Sequence, residues 1–273
     1  MNRIAAVANT EIRIALRNRW VAIAVVMMAL FSMVLSAAGS APTGQLGVDK
    51  LSVVVASLTS LAVYLVPLMA LLMAFDSIAG EVERGTLPLV LTYPVSRGEI
   101  LAGKFLAHLG TLALAVAIGY GIAGAAALWS DPTAGRGIPS LFRLFWTSLL
   151  LGATFLAIAY AISALARRPG AAAGLAVGVW LVFIVLYDLG LLAAIVADGG
   201  GTFTTTVFPW LMLANPADAF RLYNLAASDA AGAASGLAGA ANTIPPAQAL
   251  ASLWLWPAAT FLAAVAAFRK VTP

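Results

Sequence analysis

The chain has 273 residues, 62% of them hydrophobic and 10% charged, with a formal net charge of +4 and a mean hydropathy of +0.99. So few charged side chains cannot cover a water-soluble globule of this size, which places the chain in a membrane. The absence of cysteine excludes disulfides, thiolate metal sites and thiol nucleophiles. Anionic lipid headgroups account for the positive balance without any nucleic acid.

The chain opens on MNRIAAVANTEIRIALRNRW, whose residues 1–19 are expected to form a surface helix. Ile4, Ala8, Ile12, Ala15 and Leu16 fall on one side at helical spacing and Thr10, Arg13 and Arg17 on the other, with Ile14 breaking the pattern. Two readings stand: an elbow that rides on a cytoplasmic partner, or a basic flank that only fixes topology.

A membrane-spanning helix needs about 20 mostly apolar residues. Six stretches qualify, at 20–38, 51–75, 102–129, 141–165, 171–191 and 250–268. Their Ala/Leu/Val-rich runs lack the alternation of a β-barrel strand, so the expected fold is an all-α integral membrane protein with six transmembrane helices, forming a single domain over 1–273. The first stretch lacks a convincing cleavage site and is expected to stay as a span.

With the N-terminus inside, eleven of the 15 lysines and arginines fall on the cytoplasmic side, leaving Lys50, Arg136, Arg143 and Arg221 outside. By the positive-inside rule both termini are expected in the cytoplasm of a bacterial inner membrane, together with the loop 76–100. The lone histidine, His108, falls one helical turn from Lys104, where an interface-level polar role is preferred to a ligand role.

Phe75 to Ile100 reads FDSIAGEVERGTLPLVLTYPVSRGEI. Glu81, Glu83, Arg84, Arg97 and Glu99 would each cost roughly 2.5 to 3.5 kcal/mol inside hydrocarbon, so the segment is expected outside it. Asp76 or Ser77 suits the cap of a short helix that ends at Glu83 or Arg84, with Gly85 as its left-handed terminator. Thr86 suits the cap of a second, starting at Leu87 and Pro88. Tyr93 and Pro94 break the chain, and Ser96 to Glu99 forms a capping box that starts the third span. The expected product is a compact plug presenting Leu87, Leu89, Val90 and Leu91 to a groove in a partner.

Asp188, in VLYDLG, is the one acidic residue inside an expected span and thus a functional candidate. Its place near the outer boundary suits an ion pair with Arg143 or a solvated edge, preferred here to a proton or substrate relay. Residues 192–249 then form a long outer connection. In it Asn215 and Pro216 make a turn, a short helix from Ala217 carries Arg221 facing out, and the Gly/Ala/Ser run 226–241 suits an interfacial half-helix. Among the seven methionines only Met69 and Met73 have clean i, i+4 spacing, and packing is preferred to a Cu(I) path. No metal site is expected, and no set of nucleophile, base and metal ligands points to an enzyme.

The run EVERGTL followed by LTYPVSR resembles the coupling-helix region of ABC exporter permeases. The resemblance covers nearly the whole chain and implies that Glu81, Glu83, Arg84, Gly85, Thr86, Leu87, Pro94, Ser96 and Arg97 dock onto a cytoplasmic ATPase dimer. With NPADAFRLYNL the chain is similar, more narrowly, to the permeases of ABC complexes that help mature the copper sites of nitrous oxide reductase. That likeness implies a permease homodimer and an outer surface, at Asn215, Pro216, Asp218 and Arg221, that meets a periplasmic copper-handling protein. The chain has no GxxxxGK[ST] phosphate loop, so ATP and Mg are expected in the partner and no cofactor in this chain. Two rivals remain at this stage: an ABC exporter of a lipid or drug, and an ATP-independent secondary transporter built around Asp188.

Overall fold

A computed structural model describes residues 3–15, 19–38, 50–92, 94–166, 168–225 and 244–271. Every regular element among them is helical: α1 (Arg3–Ala15), α2 (Arg19–Ala38), α3 (Lys50–Ala74), α4 (Ala79–Glu83), α5 (Leu87–Leu91), α6 (Arg97–Ser130), α7 (Ile138–Ala166), α8 (Pro169–Trp180), α9 (Tyr187–Asp198), α10 (Phe208–Ala214), α11 (Pro216–Leu225) and α12 (Pro246–Arg269). Short 3-10 and π segments join some of them. In hydrocarbon the backbone must satisfy its own N–H and C=O groups, and helices do so within one segment.

Five described stretches are long and apolar enough to cross a membrane: Lys50–Glu83, Arg97–Ser130, Ala134–Ala166, Pro169–Asp198 and Pro246–Arg269. The expected first span corresponds to α2, a helix of 20 residues. The core centres on α7, which packs against α3, α12, α6 and α8 and buries Leu151, Phe155, Leu156 and Tyr160 completely. Met69 and Met73 belong to this core, and Met28 packs against Gly119 of α6. Ser148 Oγ donates to Leu144 O at 2.7 Å and lies 2.8 Å from Tyr120 Oη of α6.

Two sequence expectations change. The fifth helix does not stop at 191: Leu192 to Val196 continues apolar, and the stop comes at Gly199, whose φ of +60° ends α9. Asp198 Oδ2 then accepts from Thr204 N–H at 2.8 Å, which starts the returning segment. Between α8 and α9 the chain forms a π-helix, Leu181–Leu186, in which the Tyr187 N–H bonds to the Val182 carbonyl five residues back. The connection expected over 192–249 is thus helical in its first part, through α10 and α11, while 226–241 lies outside the described residues.

The second change concerns α1. Its inward face is Ile4, Val7 and Glu11, whereas Ile12 is exposed. The helix lies so close on α6 that a Cβ at Gly103 would sit 2.7 Å from Val7 Cβ and 3.1 Å from the Ile4 carbonyl oxygen. A backbone atom on one side leaves little room to relax. Gly103→Val should lift α1 at a cost of about 1–3 kcal/mol. Hydrogen exchange over residues 3–15 should rise while the core of α7 stays protected.

Candidate functional site

The loop between α3 and α6 is a folded object. α3 and α4 are nearly continuous, with Phe75 N–H bonded to Leu71 O and Gly80 N–H to Asp76 O. The cap of α4 is neither Asp76 nor Ser77. Ser163 of α7 reaches across, and its Oγ accepts from the N–H groups of Ile78 and Ala79, both at 2.9 Å. A helix N-terminus thus finds its acceptor in the core of the protein.

The C-terminus of α4 closes as a Schellman turn: Gly85 N–H donates to Val82 O at 3.1 Å and Thr86 N–H to Glu81 O at 2.9 Å, with Gly85 at φ +67°. Thr86 consequently has helical backbone angles and makes no side-chain cap of α5; its hydroxyl donates to the Glu81 carbonyl at 3.3 Å. The capping box at α6 forms as the sequence suggests, with Glu99 N–H donating to Ser96 Oγ at 3.2 Å and Ser96 N–H to Glu99 Oε2 at 2.7 Å.

Two of the expected coupling charges turn inward. Glu81 accepts from Lys104 Nζ at 2.7 Å, and the same ammonium donates to Glu11 of α1 at 2.5 Å. Lys104 is only 4% exposed. One buried cation therefore ties the loop, α6 and the N-terminal helix together, and Glu11, absent from the sequence reading, is part of the site. The signal was present as an acid on the face carrying Ile4 and Val7. One turn along α6, His108 Nδ1 lies 2.6 Å from Tyr160 Oη, so His108 is a buried, hydrogen-bonded residue rather than an interfacial one.

Arg97 spends its donors on the end of α12, to the carbonyls of Phe268 at 2.8 Å and Val271 at 2.5 Å, with its guanidinium 5.7 Å from the Phe268 ring centroid. A cation at a helix C-terminus satisfies carbonyls that have no partner within the helix.

The remaining surface is small and mixed. Leu87 is fully buried, and Val90, Leu91 and Val95 pack partly against the core, so the expected four-residue apolar plug reduces to Leu89, which is 65% exposed. Around it Glu83, Arg84, Pro88, Thr92, Pro94 and Ser96 are exposed. Arg84 approaches Asp76 only at 4.0 Å, both side chains being about half exposed, which makes a weak surface pair. An exposed leucine among an acid, a base and two prolines, on a loop tied to α1, α6, α7 and α12, can transmit a push from outside into the bundle.

A family model described as ABC-2 family transporter protein matches residues 5–271. The chain belongs to the ABC-2 transporter family. A Pseudomonas aeruginosa protein named "Probable ABC transporter permease protein NosY" is 45% identical to this ABC-2 protein over 270 residues, 97% of each chain. A Stutzerimonas stutzeri protein of the same name is 42% identical over 282 residues, 99% of each. Read with its membrane-length helices, this ABC-2 permease is a multi-pass membrane protein.

At the far end of the bundle, Asp188 pairs with Arg221 of α11 at 3.1 Å and not with Arg143. Arg143 stands near Tyr223. Arg221 does not face out: it also donates to Asp218 at 2.9 Å. Asn215, Pro216 and Asp218 are buried, which corrects the expectation of an outer contact surface there. Asn215 donates to Phe183 O at 2.7 Å and accepts from Ala217 N–H at 2.9 Å, so it shapes the turn and serves the π-helix.

Lys104→Met leaves Glu11 and Glu81 facing each other without a cation and should destabilise the protein by roughly 3–5 kcal/mol. Adding Glu11→Gln and Glu81→Gln should recover much of that loss, as read by thermal unfolding of the wild type, the Lys104→Met variant and the triple variant. Arg97→Ala should raise hydrogen exchange over residues 264–271 and leave α3 unchanged.

Proposed function

We propose that this chain is the membrane subunit of an ABC complex of the type that assembles the copper sites of nitrous oxide reductase. It has no catalytic role of its own. Two copies pair in a bacterial inner membrane, termini and loop 76–100 in the cytoplasm, surrounded by lipid. A NosF-like ATPase dimer binds ATP and Mg, and a NosD-like periplasmic copper-handling protein sits on the other side. The copper role rests on likeness to relatives named NosY, and the orientation on the eleven-to-four distribution of lysine and arginine.

The observation that carries the coupling role is the division of the loop into two faces. Leu89, Glu83 and Arg84 face outward, while Ser163, Lys104 and Arg97 fix the inner face to α7, to α6 with α1, and to α12. When two ATPase subunits close, a groove that grips Leu89 displaces a body already joined to four helices. An interfacial apolar anchor ringed by polar groups is the usual form of a small docking contact. Glu81 and Arg97 act in this scheme by holding the loop, not by touching the ATPase.

Leu89→Asp together with Glu83→Arg should leave the permease folded and inserted but lower recovery of the co-expressed ATPase by about tenfold or more, as expected for loss of an anchor worth about 2 kcal/mol. Quantitative mass spectrometry of the complex purified from native membranes reads this directly. Undiminished ATPase recovery would overturn the docking assignment, and an intact complex without any periplasmic protein would overturn the copper-assembly reading alone.

A further inference from the structure

The far-end cluster stands apart from the coupling loop. Arg221 lies between two carboxylates, Nη1 to Asp218 Oδ1 at 2.9 Å and Nη2 to Asp188 Oδ2 at 3.1 Å. Asp218 is 1% exposed, and its second oxygen, Oδ2, is buried with no donor among the described residues. With every group ionised the cluster has one positive charge and two negative ones, in a place where an uncompensated charge is costly. A proton on Asp218 removes the excess charge and gives its carboxyl a hydrogen-bonding role toward Asp188 in one step.

The cluster also sits where the fifth membrane helix is attached. Only 6% of the most apolar window of Pro169–Asp198 is buried within the chain, against 67% for Ala134–Ala166. In the Leu181–Asp198 portion three polar links reach the α10–α11 segment, Asn215 to the Phe183 carbonyl, Tyr187 Oη to the Leu211 carbonyl at 2.7 Å, and Arg221 to Asp188, beside the apolar packing of Leu191 on the cluster of Met212 and Leu222. The π-helix lies between the first and the last of these.

We infer that Asp188, Arg221 and Asp218 form a one-proton binding site that clasps the fifth membrane helix to α11. Among the described residues, the titratable groups that face Asp218 are Arg221 on its own helix and Tyr187 and Asp188 on α9. The helices packed on α11, namely α3, α7, α10 and α12, supply no ion pair to it, Arg143 standing instead near Tyr223. α11 lies outside the five membrane-length stretches. Burial first, and then the negative charge of Asp188, push the Asp218 carboxyl up to about 7, while Arg221 holds it down.

The sign follows from linkage. An unfolded carboxyl has lost its proton well below pH 7, so between the ordinary carboxylate range near 4 and about 7 the folded state holds a proton that the unfolded chain does not. Stability conferred by the clasp therefore falls as pH rises through that window, and above it two carboxylates repel across one guanidinium.

The test is infrared difference spectroscopy of the full chain in lipid nanodiscs, titrated from about pH 5 to about pH 9 and following the carbonyl stretch of protonated carboxyls. The wild type should lose a band with a midpoint near 7 that Asp218→Asn lacks, and Asp188→Asn should lower that midpoint by about one unit or more. Hydrogen exchange over residues 181–198, corrected for intrinsic rates, should rise several-fold across the same range in the wild type and stay flat in Asp188→Asn. The site is refuted by identical titrations in wild type and Asp218→Asn, or by a midpoint that Asp188→Asn does not move; exchange insensitive to pH in the wild type refutes the clasp. None of these readouts requires an ATPase.

Discussion

The cost of an unpaired buried ion governs the loop end of this protein. Lys104 sits on a membrane-length helix, is withdrawn from solvent, and can stay charged only with acids brought to it. Those acids come from two separate elements, Glu11 of α1 and Glu81 of the loop. Because one ammonium serves both, neither α1 nor α4 can shift without disturbing the other. The Gly103 contact with Val7 then sets how closely α1 lies, and Ser163 sets where α4 begins. The connector is thereby held on both sides by buried hydrogen bonds.

Such internal fixing is what the proposed coupling role requires, and it changes the meaning of the charged residues in EVERG. A charged loop under a membrane invites the reading that each charge is offered to a partner. Here Glu81 and Arg97 are consumed internally, and the exposed remainder is Glu83, Arg84 and Leu89 with their neighbours. In the proposed coupling role the arrangement separates grip from transmission: exposed residues take hold of a partner, and buried ones pass that hold to α1, α6, α7 and α12.

The far end repeats the motif of one cation between two carboxylates, with Arg221 in place of Lys104. Its mechanical setting is the opposite. The loop cluster fixes elements that are also packed by apolar contacts, whereas the Asp188 cluster holds a helix that buries little of itself in the chain. The same chemistry thus serves as a bolt at one end and as a clasp at the other.

The sequence by itself determined the class, the helical spans and much of the loop. Apolar runs of membrane length can be satisfied only by helices, and α3, α6, α7 and α12 lie where those runs fall. Gly85 and the Ser96–Glu99 box follow from backbone sterics and local hydrogen bonding, which act within a few residues and so are written locally. What the sequence did not decide is where each polar side chain points. Asp188 was expected near Arg143 because both lie toward the same boundary, yet it meets Arg221 of α11. Glu11 was overlooked because its partner is 93 residues away. Asn215 and Asp218, read as outer-surface residues, face inward because the carbonyl and the cation they serve lie on other helices or turns of helix. Local rules specify elements, but a buried polar group takes its partner from whatever the packed helices bring within about 3 Å, and only the tertiary structure fixes that.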